Sequence, residues 1–284
     1  MPPNAIAVRP PVPYFGGKQT IADWIAGHFP AHGHYVEPFG GGLSVLLAKP
    51  PSRMETVNDL DGKLMTWWRV LRDRPAELAR VCALTPHARG ELEAAIEEAT
   101  DELETARRVW VQLTQSRSAT LRRTGWRNYV HPGSSSIGMP GYLDGYMDRF
   151  AAAAERLHHV SLECRPALDV IGTYGASPDV LLYVDPPYLG STRARNYRHE
   201  MRTDTEHHEL AEALRACRAS VVLSGYPSAL YEELYADWVR IRRTTRTDNA
   251  RTNAERTEVL WSNRDLATQP TLFDTFPTPK GDRP

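Results

Sequence analysis

The chain has 284 residues, 41% of them hydrophobic and 24% charged, which suits one large α/β domain, or a domain with an insertion, around a substantial core. No apolar run approaches the roughly 18 residues of a membrane span, the opening stretch lacks a signal-peptide apolar core, and Cys82, Cys164 and Cys217 follow neither a disulfide nor a zinc spacing, so a reducing cytoplasm is expected. A net charge of −1 speaks against a polyanionic partner only as a total: Thr105 to Leu143 contains no acid but holds Arg107, Arg108, Arg117, Arg122, Arg123 and Arg127. A solvated charged surface has the same composition.

The first motif is "PYFGGK", ending at Lys18. It has the outline of a phosphate-binding loop, but Gln19 stands where Ser or Thr is needed and Val12 where the earlier Gly belongs. A triphosphate is therefore not expected, and Lys18 is either a carboxylate contact or a surface lysine. "TIADWIAGHF" then has helical spacing, "HYVEPF" a short strand pattern, and "GGGLSVLLA" a glycine turn opening a helix. Glycines at such a turn let backbone approach a ligand beside the unpaired N–H groups of the helix, although a tight structural turn needs them equally. "METVNDL" is a second strand. Asp59, about 20 residues beyond the turn, is positioned either to bind two ribose hydroxyls or to cap the helix "DGKLMTWWRVLRD".

From about Arg74 to His159 the pattern is helical: "PAELARVCAL", "ARGELEAAIEEA", "DELETARRVWVQLTQS", an Arg-, Gly- and Ser-rich loop to Pro140, and "YLDGYMDRFAAAAERLHH" as one helix. Alternation then resumes with strands "VSLEC", "DVLLYVD", "SVVLSGY" and the edge hairpin "WVRIRRTTR"/"RTEVLWSN", and with helices "EHHELAEALRAC" and "SALYEELYA". A second basic run holds Arg240, Arg242, Arg243, Arg246, Arg251 and Arg256. His199, His207 and His208 suggest a metal, but adjacent histidines at a helix start diverge by about 100°, and a capped helix N-terminus is expected instead. The Pro-rich tail after residue 265 has no periodicity and is expected to be disordered.

The strand "LLYV" runs into Asp185, Pro186, Pro187 and Tyr188. An acid at the carboxyl end of a central strand stands where open α/β sheets bind ligands. The prolines fix φ and remove two N–H donors, leaving the Asp185 side chain and the Pro186 carbonyl as acceptors suited to an exocyclic amine. Tyr188 offers a face for a planar base. An Asp-Pro turn closing a strand is the plain alternative.

Taken in order, "PYFGGK", "YVEPFGGG", "VNDLD", "YVDPPY", "LSGYPSALYEELY" and "RTEVLWSN" resemble the motif series of the DNA adenine methylase family, over residues 13–75 and 159–263. The resemblance implies a Rossmann-like class I methyltransferase sheet with helices on both faces and a mainly helical inserted target-recognition region. It divides the chain into a cofactor-binding part (10–74), the insertion (75–158), the DPPY part (159–265) and a tail (266–284). It implies methyl transfer from S-adenosyl-L-methionine to N6 of adenine in double-stranded DNA with base flipping, in a bacterial or phage-encoded protein of the cytoplasm. Tyr14, Lys18, Phe39, Gly40, Gly42, Asp59 and Asp185 are then the expected cofactor contacts, and Asp185, Pro186 and Tyr188 the catalytic group. No metal is required.

Within the insertion, Arg117, Arg122, Arg123, Arg127 and Asn128, beside Trp126 and Tyr129, are the expected DNA contacts, to bases or to phosphates. Relatives often carry an acid directly after the third strand; here "CRPALDV" puts Pro166 there and Asp169 later. The chain is expected to act as a monomer on DNA, a cognate restriction enzyme is a further candidate partner, and Gln269–Phe273 ("QPTLF") resembles peptides that dock on sliding clamps, with an incidental Pro-rich tail as the alternative. Cytosine N4, RNA or a protein amide on the same fold, and a DNA-binding protein without turnover, are the competing readings.

Overall fold

In the computed structural model, which describes residues 7–131, 133, 135, 137–188, 201, 203–246 and 255–266, the alternating periods of the sequence form one seven-stranded sheet. β1 (His34–Glu37), β2 (Met54–Asn58), β3 (Val160–Glu163), β4 (Val180–Val184) and β5 (Ser220–Gly225) are mutually parallel, and β6 (Val239–Arg246) and β7 (Glu255–Ser262) form the expected antiparallel hairpin, with β7 against β5. The order β3-β2-β1-β4-β5-β7-β6 changes direction between β1 and β4. Ligands of open α/β sheets bind at such a switch point, beyond the carboxyl ends of the strands. Val36 pairs with Leu182 and Glu37 with Val57, so β1, β2 and β4 end together and deliver Glu37, Asp59 and Asp185 to one edge.

Every residue of β4 is buried, which is why its sequence is a continuous apolar run. Side chains alternate between two cores. Tyr35, Val57, Leu181, Tyr183, Val222 and Leu260 join helices α1 (Ala22–Ala26), α2 (Ser44–Ala48), α3 (Gly62–Asp73), α4 (Pro75–Ala83), α5 (Arg89–Ala94), α6 (Glu102–Gln115), α7 (Gly138–Met147) and α8 (Phe150–Leu157). Val36, Leu182, Val184, Val221, Leu223 and Trp261 join α9 (Ala167–Tyr174), α10 (Asp204–Arg215) and α11 (Ala229–Leu234). Helices therefore cover both faces. α3 links the inserted helices to the sheet: its Trp67 and Trp68 are fully buried with Trp110 of α6 and Phe150 of α8 in a single core. Among the described residues no helix is long and apolar enough to cross a membrane.

Three elements differ from expectation. The helix predicted after Pro140 is two helices, α7 and α8, separated at Asp148 and Arg149, and α7 begins before Pro140. Pro in a first helical turn removes an N–H that has no partner there in any case. "ALDVIGTY" forms α9, a short helix whose Gly172 and β-branched residues hide its period. The cap of α3 is Asp61, which accepts from Lys63 N–H and Leu64 N–H, so the capping role considered for Asp59 belongs to its neighbour. Gln269–Phe273, His199 and Arg251 lie outside the described residues, as does the tail after residue 266.

Candidate active site

The strand ends open into a cavity of about 360 Å³ whose wall includes Lys18, Glu37, the glycine turn, Asp59, Leu168 and Asp185. Since β1 lies between β4 and β2, strand spacing alone sets Asp185 and Asp59 about 10 Å apart.

The glycine turn is built against Tyr14. A Cβ at Gly42 would lie 2.7 Å from Tyr14 Cβ, and one at Gly41, which has φ +50°, would lie 2.9 Å from Tyr14 Cε1. A Cβ at Gly40 would meet Leu43 Cδ2 at 2.9 Å and the Asn58 carbonyl at 3.0 Å. Protein packing thus requires these glycines before any ligand does. Gly40 N–H donates to the Asn58 carbonyl (2.7 Å) and Gly41 N–H to Asp59 Oδ2 (2.9 Å), while Asp59 Oδ1 accepts from Asp61 N–H (2.9 Å). The Asp59 carboxylate is held in one orientation on the cavity wall. Phe39, half-buried, packs on the second core and also lines the cavity.

Glu37 is an acid the sequence reading passed over. It is 2% exposed, its Oε1 accepts from Tyr35 O–H (2.6 Å) and Leu46 N–H (3.2 Å), and its Oε2 is buried with no hydrogen-bond partner. Burial pushes its carboxyl up to about 8, against the hydrogen bonds from Tyr35 and Leu46.

Lys18, far from being a surface residue, is 7% exposed and sits among the protein's own acids. Its ammonium donates to Asp185 Oδ1 (2.8 Å), lies 3.8 Å from Glu258 Oε1, and also contacts the Tyr188 hydroxyl. Burial opposes its charge, but Asp185 and Glu258 outweigh it and hold the ammonium above the usual lysine range. The Tyr188 hydroxyl stands 2.9 Å from Asp185 Oδ1 and 3.0 Å from Glu258 Oε1. The expectation that Asp185 meets no competing donor is corrected here: proline removes only backbone donors, and these two come from side chains. Pro186 is buried. Tyr188 packs against Tyr226, with ring centroids 4.5 Å apart and Tyr226 39% exposed. Tyr226 was visible in "LSGY" only as the end of a strand.

The Arg-rich loop contains a short hairpin. Ser116 pairs with Trp126, Arg117 N–H donates to the Gly125 carbonyl and Arg127 N–H to the Gln115 carbonyl. Arg127 is a brace: its guanidinium donates to the Ser116 and Arg117 carbonyls and to the Tyr142 hydroxyl. Arg117 Nε donates to the Trp126 carbonyl, and Trp126 stacks on His87 at 4.5 Å. Arg117 and Arg123 are exposed, while Arg122 and Asn128 are half-buried. Arg107 and Arg108 are tied to Glu104, and Arg107 also to Glu91, which removes both from the basic face. Arg240 and Arg242 share Glu232 of α11.

Elsewhere, Pro166, Ala167 and Leu168 reach the cavity wall and Asp169 does not. His207 is buried beside the Tyr231 hydroxyl (3.0 Å), behind a capping box formed by Thr203 and Glu206. Among the described residues no three His, Cys, Asp or Glu side chains converge on a metal position.

Residues 14–249 match the sequence model of a family described as D12 class N6 adenine-specific DNA methyltransferase. The Type II methyltransferase M1.LlaDCHI of Lactococcus lactis subsp. cremoris is 25% identical over 282 residues, covering 92% of this chain and 97% of that protein. A solved structure, precorrin 8w decarboxylase of Methanobacterium thermoautotrophicum, aligns over 90% of this chain and 95% of its own with a TM-score of 0.35 and 9% identity, a likeness that carries no argument.

Proposed function

The chain belongs to the D12 class N6 adenine-specific DNA methyltransferase family, and on that premise we propose that it transfers a methyl group from S-adenosylmethionine to N6 of adenine in double-stranded DNA, with the target base turned out of the helix. The observation that carries this reading is Asp185: it stands at the carboxyl end of a central strand, on the wall of a cavity shared with Glu37, the glycine turn and Asp59.

The cavity residues fit the methyl donor. Glu37 Oε2, buried without a partner, matches an ammonium group. The fixed Asp59 carboxylate suits the two ribose hydroxyls, and Leu60 and Leu168, both large and exposed, suit a planar purine. When bound, S-adenosylmethionine supplies an already activated sulfonium methyl.

The chain's own groups then have to position and polarise the amine. An adenine amine is a poor nucleophile because its lone pair is delocalised into the ring. Asp185, with the Pro186 carbonyl, accepts from its N–H groups and draws the nitrogen toward tetrahedral geometry, which frees the lone pair for in-line attack. Asp185 need not be a strong base. The Tyr188 and Tyr226 rings offer stacking surface that offsets part of the cost of unstacking the base.

Target recognition is assigned to the inserted residues 75–158. Arg117, Arg122, Arg123 and Asn128 face the DNA, and Arg127 shapes the hairpin that presents them. The likeness to a Type II methyltransferase supports a role in restriction-modification.

Expression in a host lacking DNA methylation, followed by single-molecule sequencing, tests the reading. N6-methyladenine in one consistent context, absent with Asp185→Ala, is expected. No N6-methyladenine above that control overturns it.

A further inference from the structure

Glu258 of β7 meets Tyr188 and Lys18, the two groups that also meet Asp185, yet has no part in the chemistry described above. It is 5% exposed, and Ser224 of β5 fixes it by donating its hydroxyl to Oε1 at 2.6 Å. That same oxygen lies 3.0 Å from the Tyr188 hydroxyl and 3.8 Å from the Lys18 ammonium. Both groups also stand at Asp185 Oδ1, at 2.9 and 2.8 Å. Two carboxylates therefore face one hydroxyl proton and one ammonium.

A tyrosine hydroxyl has a single proton to donate, so it serves one carboxylate at a time. While the hydroxyl and the ammonium both donate to Asp185 Oδ1, that oxygen's two lone pairs are filled and the ammonium offsets the carboxylate's charge, so only Oδ2 is left to accept, and it accepts more weakly. That is the wrong state for polarising an incoming amine. Glu258 offers an alternative: its Oε1, already accepting from Ser224, has a lone pair for the Tyr188 proton, and its negative charge attracts the ammonium. The tyrosine needs only to rotate its O–H bond, and the ammonium has to close by about 1 Å to reach hydrogen-bond distance.

We propose that Glu258 is a positioning residue that draws the Tyr188 proton and the Lys18 ammonium away from Asp185 as the target amine arrives, leaving Asp185 free to accept from it. This rests on the reading of Asp185 as the acceptor of the amine. Lys18 stays charged throughout, and Glu258 supplies the counter-charge that Asp185 gives up. No bond to carbon forms or breaks in this step. Burial, joined by the charge of Asp185, raises the Glu258 carboxyl against the pull of Lys18 and the hydrogen bonds from Ser224 and Tyr188. Its protonation would leave both donors on Asp185.

The test compares wild type, Glu258→Gln and Glu258→Asp in single-turnover methylation across pH, with S-adenosylmethionine affinity measured by calorimetry and folding by thermal melting. Gln still accepts from Ser224 but carries no charge. The expected result is a rate lowered about 10- to 100-fold, the loss of one charged hydrogen-bonding partner. Cofactor affinity should be unchanged, since Glu258 is not on the cavity wall. The wild-type rate should also show an acid limb above the ordinary carboxylate range, absent in Glu258→Gln and retained in a partly active Glu258→Asp. A Gln variant at the wild-type rate, or a slow one whose pH profile keeps the wild-type shape, overturns the proposal and leaves the methyltransferase reading standing. Wild type that binds S-adenosylmethionine but methylates no DNA overturns that reading as well.

Discussion

Replacing Glu37 by Gln isolates the cost of keeping an acid in the floor of the cavity. Burial raises its folded pKa to about 8 from 4.5, so between those values the folded protein holds a proton that the unfolded chain has released. Stability therefore falls as pH rises through that window, by about 1.4 kcal/mol per pH unit, to a total of order 5 kcal/mol above pH 8. Gln keeps an acceptor for Tyr35 and Leu46 and carries no such dependence. Urea unfolding of both proteins from pH 4 to 9 should show near-equal stability at the acid end and a growing advantage of Glu37→Gln toward the alkaline end. Function reverses the preference. If the carboxylate receives the ammonium of S-adenosylmethionine, binding at pH 7 must release a proton, visible as a calorimetric enthalpy that depends on buffer ionisation. Affinity then rises with pH up to tenfold per unit, and both effects vanish in Glu37→Gln. A stability gap that does not change with pH, or wild-type binding without proton release, refutes the reasoning.

Asp185→Asn keeps the size of the side chain but removes its charge, and the methylation rate at saturating S-adenosylmethionine should fall by at least about 100-fold, measured by single turnover. Arg123→Ala should leave the melting temperature unchanged and reduce the salt slope of DNA binding by about 1, as expected for one lost phosphate contact. Arg127→Ala should instead lower the melting temperature, because two carbonyls of the hairpin and the Tyr142 hydroxyl of α7 lose their donor. Gly42→Ala should destabilise by about 1–3 kcal/mol in urea unfolding through its clash with Tyr14, and a Tyr14→Ala background should not rescue it, because the 2.7 Å contact is with the Tyr14 Cβ, which alanine keeps.

The sheet was legible because its two periods differ so plainly: β4 is uniformly apolar, α3 carries Leu64, Trp67, Trp68 and Leu71 on one face, and the β6–β7 hairpin lies at the edge of the sheet. Boundaries failed where a local rule has an exception, as at Pro140 in a first helical turn. Within the site, residues inside compact motifs could be named from sequence, and Asp59, Gly40, Gly42 and Asp185 do line one cavity. What sequence could not supply was long-range pairing. Lys18 and Asp185 are 167 positions apart, and Tyr188 and Glu258 are 70 apart. Glu37 carried a signal, an acid at the end of a buried strand, but only its burial gives that signal meaning. The arginines show the reverse limit. Six of them share an acid-free segment, yet Arg107 is bound to acids contributed from outside it and Arg127 to backbone within it.

The loop "PYFGGK" joins all three parts of the site, which explains a motif that first suggested a phosphate. Tyr14 covers the glycine turn, Phe15 N–H donates to the Ala119 carbonyl at 3.0 Å, and Lys18 reaches the acids beyond β4. Ala119 belongs to the Arg-rich hairpin and holds φ at +51°, a strained value for a residue with a Cβ. Leu43, at the end of the glycine turn, holds φ +50°. The two strained residues thus lie on either side of the same loop, one in the Arg-rich hairpin and the other on the cavity wall. A chain of contacts therefore runs from the hairpin through Phe15 to Tyr14 and Lys18, within five residues of chain. On this reasoning the glycines of "PYFGGK" serve close packing rather than phosphate: a Cβ at Gly17 would stand 3.0 Å from the Tyr14 carbonyl, and Gly16 has φ +75°. The bend they permit brings the lysine back to the strand ends, where its charge meets Asp185 and Glu258 together.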